Sequence, residues 1–155
     1  MIDLHEDEGG AVSDEVHALV EARLRRNDLR YTAGRRAIVD LLLAAQRPVS
    51  ITDISSLLPS LPRSSAYRHL VDLQNAGVVR RVAANDEFAR FELGEDLTEH
   101  HHHLLCTECG RVIDITPSQA FEKALIKQLE QLADGVGFYL QSHSVDALGL
   151  CEVCR

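Results

Sequence analysis

The chain has 155 residues, 45% of them hydrophobic, with four cysteines, no tryptophan and a formal net charge of −8. That length holds one medium domain or two small ones, and no apolar run approaches the length of a membrane span. Acidity speaks against a nucleic-acid partner only until its placement is read. Residues 1–15 carry six acids and no base, residues 16–93 carry twelve bases, all arginine, against eight acids, and residues 94–155 carry four bases against ten acids. A phosphate-meeting surface therefore belongs between positions 16 and 93; a solvated charged face is the plainer alternative.

Residues 1–12 mix acids with Gly9-Gly10 and lack periodicity, which predicts a mobile tail. From Ser13, a candidate N-cap, Val16, Leu19, Val20 and Leu24 fall on one face of a first helix running to about Asn27. Thr32 can cap a second helix with an Ile38, Leu41, Leu42, Ala45 stripe, stopped by Pro48. Ser50 and Asp53 have capping-box spacing for a short third helix with Ile54, Leu57 and Leu58 inward, closed by Pro59. Pro62 suits the first turn of a fourth. Tyr67, Leu70, Val71 and Leu73 mark its partly buried side, Arg63, Ser64, Ser65 and Arg68 lie at its N-terminal end, and Gly77 fits its C-terminal cap.

After Gly77 the period changes from 3.6 to 2: Val78–Val82, a polar Asn85-Asp86-Glu87 turn, then Phe88–Leu93. Three helices, a reading helix and a hairpin predict a winged helix-turn-helix, whose reading helix enters the major groove of double-stranded DNA. A helical domain with a hairpin for protein contacts is the alternative.

Residues 94–99 form an acidic connector and candidate hinge. Beyond it, His102–Leu105 and Arg111–Ile115 read as strands joined by a Cys106-Thr-Glu-Cys109-Gly110 knuckle. Thr116-Pro117-Ser118-Gln119 combines a cap, a proline at the first helical position and a glutamine at the third. The helix so started carries Phe121, Leu125, Leu129 and Leu132 on one stripe. A last strand is expected from Phe138 to about Val145, carrying His143 into a second knuckle. The expected organisation is thus α+β: a tail (1–12), a winged-helix domain (13–93), a hinge (94–99) and a small α/β dimerisation domain (100–155). Exposed strand edges and an apolar helix stripe in so small a unit predict a homodimer, whose two-fold axis matches two DNA half-sites.

Two Cys-x-x-Cys pairs, Cys106/Cys109 and Cys151/Cys154, can together offer four thiolates to one tetrahedral Zn2+. A redox pair needs only one of them and a βαβ context, and two disulfides need an oxidising compartment for which the acidic N-terminal residues give no support. The expected location is the cytoplasm. His100, His101, His102 and His103 alternate along a strand, so His101 and His103 face one way and His100 and His102 the other, allowing two further metal sites. A solvated histidine cluster is the plainer reading.

The run His101-x-His103-x-x-Cys106-x-x-Cys109-Gly110 after a winged helix, the second Cys-x-x-Cys and His143 eight residues before it resemble the ferric uptake regulator family of metal-dependent repressors, from about Arg23 to Arg155. The resemblance implies a hinge metal site of Glu92, His101, His103 and Asp114, and a second regulatory site of His100, His102, Glu122 and His143. It implies Tyr67 and Arg68, in Ser65-Ala66-Tyr67-Arg68, as leading DNA contacts beside Ser64 and Ser65, and Arg35 as a phosphate contact. Tyr67 also has a core reading, from its helical spacing to Leu70 and Val71. The hinge ligands suit Zn2+ or Fe2+, and Mn2+ or Ni2+ as well. One departure stands out: Arg47 occupies the place of a histidine that completes the hinge site in many members, and arginine does not ligate metal. Asp114 resembles the peroxide-sensing branch, although loss of that histidine weakens a peroxide-sensing reading. A metal-responsive repressor is expected; a zinc-ribbon protein adaptor and a zinc hydrolase are the alternatives, the latter without a visible His-Glu-x-x-His helix.

Overall fold

The computed structural model describes residues 8–155 except 46, 83–88 and 99, with side chains described from residue 12. It divides into two units, Met1–Glu99 and His100–Arg155.

In the first unit, α1 (Glu8–Arg26), α2 (Ala33–Ala45), α3 (Ile51–Leu57) and α4 (Arg63–Asn75) accompany a three-stranded antiparallel sheet. Strand β3 (Arg90–Leu93) lies between β1 (Val49–Ser50) and β2 (Val79–Val82). Helix α1 begins five residues before Ser13, so Ser13 lies inside it, and residues 8–12, expected in the tail, are helical. The rest of the expected tail lies outside the described residues. Val16, Val20 and Leu24 are buried but Leu19 is exposed, so the covered face is narrower than the apolar pattern.

Thr32 Oγ1 accepts from the Arg35 N–H at 3.4 Å. Ser50 and Asp53 form a reciprocal capping box on α3. Pro62 stands at the N-cap of α4, one position ahead of its expected place inside the first turn. Gly77, at φ +69°, closes that helix in the left-handed region, with Val78 N–H donating to Leu73 O at 2.8 Å. The buried stripe of α4 is Ala66, Leu70 and Leu73; Val71 and Tyr67 are exposed, correcting their assignment to the covered side. The expected hairpin pairs Val79 with Leu93 through Val82 with Arg90, while its turn at 85–87 and Phe88 lie outside the described residues. Strand β1 carries no periodic signal in two residues; it pairs Val49 with Phe91 and Ser50 with Arg90.

In the second unit β4 (His102–Cys106) is central, antiparallel to β5 (Val112–Ile115) and parallel to β6 (Asp146–Gly149). The last strand therefore begins after the expected 138–145 segment. Its register opposes Cys106 to Gly149, which delivers Cys151 beside the first knuckle, whereas a strand ending at Val145 would leave the pairs apart. Helix α5 (Gln119–Gly135) is capped by Ser118, whose Oγ accepts from Phe121 N–H at 3.2 Å, two residues later than the Thr116 cap expected. Its stripe is only partly covered: Leu125 and Leu129 are half-buried, Phe121 and Leu132 exposed. Among the described residues no helix is long and apolar enough to cross a membrane.

Candidate metal centres and nucleic-acid interface

Both knuckles are turns that aim two thiols the same way. Gly110, at φ +68°, lets its N–H return to Cys106 O at 3.0 Å, and Cys154 N–H returns to Cys151 O at 3.0 Å. The β4–β6 pairing continues into the turn, Thr107 N–H donating to Gly149 O at 2.9 Å. Cys106, Cys109, Cys151 and Cys154 then gather with sulfurs within 4.8 Å of one another, all as free thiols. The Cys109–Cys151 separation is 3.8 Å, far beyond a disulfide bond and equal to the edge of about 3.8 Å of a tetrahedron with 2.3 Å metal–sulfur bonds.

Electrostatics fit the same conclusion. Backbone N–H groups of Cys109 and Cys151 push the Cys106 thiol down to about 6, and the Val153 N–H lowers Cys151. Crowding by Cys151 and Cys109 pushes Cys154 up to about 12. Four sulfurs this close shed all their protons only with a cation among them, which is what a thiolate-bound metal supplies.

On one face of β4, His100 and His102 meet Glu122 from the first turn of α5 and His143 from the segment before β6. Their ligand atoms lie within 4.8 Å of one another. His143 Nε2 is 2.5 Å and His100 Nε2 3.1 Å from Glu122 Oε1, and His102 Nε2 is 3.2 Å from Glu122 Oε2. Glu122 Oε1 and His143 Nε2 are both buried and lie close together. Burial pushes the Glu122 carboxyl up, but His100, His143 and His102 outweigh it and hold it below the usual carboxylate range. Three imidazoles and a carboxylate suit a borderline divalent ion.

His101 and His103 lie on the opposite side, ring centroids 5.1 Å apart; only His102 and His103 belong to β4, His100 and His101 preceding the strand in which all four were expected. Asp114 stands opposite His103 across β5, its Oδ1 3.9 Å from His103 Nε2. His103 is fully buried, and its Nδ1 lies 2.8 Å from Asp146 Oδ1. Asp146 thus fixes the ring so that Nε2 points toward Asp114, the usual office of a carboxylate behind a metal-ligating histidine. No sequence signal singled out Asp146; the parallel register that opposes it to His103 is visible only in the fold. Glu92, the fourth expected member, belongs to the first unit, on β3, where Arg80 holds it. Arg47 lies 4.0 Å from Asp53.

At the start of α4, Ser64 and Arg68 are exposed and Ser65 is half-buried. Arg68 Nη2 donates to Ser65 Oγ at 3.3 Å, and the Arg63 guanidinium lies 5.9 Å from the Tyr67 ring centroid. Tyr67 is 46% exposed, so the core reading of this residue fails. Arg35 is buried, donating to Asp72 and to Arg30 O, so its charge ties α2 to α4. Arg36, beside it, is exposed over Tyr31.

A sequence profile of the ferric uptake regulator family matches residues 26–148. The chain is 30% identical over 137 residues to a peroxide-responsive repressor of Staphylococcus saprophyticus, covering 85% of this chain and 86% of that protein. It is 28% identical over 145 residues to the peroxide operon regulator of Bacillus subtilis, covering 89% and 94%. The Helicobacter pylori ferric uptake regulator has the same fold, with a TM-score of 0.72 at 19% identity over 92% of this chain and 93% of that one. With that profile spanning most of its length, and with clustered thiols and imidazoles on a fold shared with a known regulator, this chain belongs to the ferric uptake regulator family of metal-dependent transcriptional repressors.

Proposed function

We propose that two copies of this chain bind double-stranded operator DNA, and that the ligands on β4 make this binding depend on a divalent metal. The observation that carries the reading is the gathering of the histidines on opposite sides of β4 and the segment leading into it, a strand that ends in the cysteine cluster. Zn2+ suits the four thiolates structurally. The regulatory ligands accept Zn2+ or Fe2+, with Mn2+ and Ni2+ also compatible. In this reading His101, His103 and Asp114 act with Glu92, and the ligands hold two winged-helix domains at the separation of two half-sites. His100, His102, Glu122 and His143 form a second regulatory site. Members of the family are regulators, not enzymes, so the hydrolase alternative falls.

Dimerisation is supported by the apolar surface of the second unit: Phe121, Leu132, Phe138, Tyr139 and Leu148 are all more than half exposed, Tyr139 at 83%. So many exposed large apolar side chains on so small a unit favour an interface. Ser64, Ser65, Tyr67 and Arg68 are the DNA-reading residues, exposed except for the half-buried Ser65, on a helix whose other face is core.

Operator fragments selected from random DNA by the metal-loaded protein provide the test. Their affinity should rise with free Zn2+ or Fe2+ while the thiolate-bound metal stays in place, and by linkage DNA should tighten metal binding equally. Affinity independent of free metal rejects the switch. Arg68→Ala should lose binding roughly 10- to 100-fold with metals retained; a protein adaptor would not respond. Peroxide sensing is a second reading, favoured by Asp114 and by relatives that are peroxide-responsive repressors. Aerobic Fe2+ loading should then add oxygen mass to His101 or His103 and release DNA, which a plain metal sensor would not do.

A further inference from the structure

Arg80 and Glu92 occupy paired register positions on β2 and β3. The Arg80 guanidinium divides itself between two carboxylates: Nε donates to Glu92 Oε1 and Nη1 to Glu95 Oε1. Its Nη2 is buried and, among the described residues, has no hydrogen-bond partner. Glu92 is only 6% exposed. A carboxylate that deep needs a positive partner, and Arg80 is one.

We propose that Arg80 is an internal competitor for the regulatory metal, setting the concentration at which the protein responds. The inference rests on the reading of Glu92 as a hinge ligand. Arginine keeps its charge at any usable pH, so a divalent ion and the guanidinium cannot share one buried carboxylate without mutual repulsion. In this competition, taking up the metal loosens Arg80 from Glu92, and Glu95 offers the displaced guanidinium a second seat on the 3-10 turn Glu95–Leu97. The opposing role, in which Arg80 orients Glu92 through Oε1 and leaves Oε2 to the ion, requires a different response to substitution: removal of a competitor tightens metal binding, whereas removal of an orienting partner loosens it.

The test uses the full chain with its thiolate-bound metal retained and His143→Ala in the background, so that the second cluster contributes little. Zn2+ is titrated in competition with a chromophoric chelator. Arg80→Gln should bind roughly tenfold more tightly, equivalent to about 1.4 kcal/mol. Glu95→Gln, which leaves Glu92 as the charged partner of the two, should bind several-fold more weakly and keeps the test open should Arg80→Gln fold poorly. Unchanged or weaker binding by folded Arg80→Gln, or tighter binding by Glu95→Gln, overturns the competition. Glu92→Gln isolates the underlying reading: if its Zn2+ affinity matches that of the background protein, Glu92 is not a ligand. If Glu92→Gln loses affinity and Arg80→Gln does not gain it, only the competition is lost.

Discussion

Replacing Cys151 with serine removes one of four sulfurs that gather at the end of β4, and the packing of the second unit says how far the damage should spread. Between His100 and Arg155 the only apolar residues buried below a tenth exposure are Leu105, Cys106 and Ala133. Full burial of a leucine contributes about 1.5–3 kcal/mol, and an alanine methyl less. Coordination at a structural four-ligand zinc site contributes roughly 10–16 kcal/mol at neutral pH. The metal term therefore dominates, and Cys151→Ser should unfold the second unit while the first, with its own core from Val16 to Leu97, remains intact. Hydrogen exchange followed by mass spectrometry, with metal content measured on the same sample, is the assay. Amides of β4, β5 and β6 should lose protection and those of α1, α2 and α4 should keep it. A variant that has lost its metal yet protects β4 and β6 as well as the parent would refute the reasoning.

Two further outcomes follow from the first unit. A Cβ at Gly34 would stand 2.7 Å from His69 Nε2 and 3.1 Å from its Cδ2, so Gly34→Ala should destabilise by about 1–3 kcal/mol; adding His69→Ala should recover part of that loss in a double-mutant cycle by urea unfolding. Ser50→Ala should cost about 0.5–2 kcal/mol at neutral pH. Burial pushes the Asp53 carboxyl up, but hydrogen bonds from Ser50 and the charges of Arg47 and Arg90 hold it below the usual range. A group whose pKa is lower folded than unfolded stabilises fully above its unfolded value, near 3.9, and loses that contribution as pH falls through its folded value. The deficit of Ser50→Ala should therefore shrink in acid, and urea midpoints at pH 7 and pH 3 check it.

Local signals account for what was legible in the sequence. The Ser50/Asp53 box, Gly77 beyond α4 and the strand alternation of His100 to His103 each depend on neighbours in the chain, and each appears where its chemistry requires. Glu122 and His143 come from separate segments, and only the family pattern brought them to His100 and His102. Elsewhere tertiary demands overrode local ones. The 138–145 segment has apolar residues suited to a strand, yet the pairing that joins the knuckles lies at Asp146–Gly149. Arg35 reads as one more base in an arginine-rich stretch, but Asp72, 37 residues away, captures it. Neither Asp146 behind His103 nor the Arg80–Glu92–Glu95 arrangement has any signature in spacing, because both arise from register between strands or from a turn that follows one.

Strand β4 links these observations. Its histidines reach the Glu122/His143 cluster on one face and Asp114 on the other, and its last residue, Cys106, is a thiol of the four-cysteine cluster. The register with β6 that brings Cys151 to Cys106 is the same register that sets Asp146 against His103. The cysteine cluster therefore should not act as a remote staple: it fixes the alignment on which the histidine ligands depend. Metal should load in a fixed order, thiolates first. Stripping the thiolate-bound ion with a strong chelator should abolish Zn2+ binding by the histidine clusters, whereas His100→Ala with His101→Ala should leave the thiolate ion in place. Mass spectrometry of the intact protein under native conditions would count the ions in each state. Histidine-bound Zn2+ persisting after the thiolates have been emptied would show that β4 holds its ligands without help from its end.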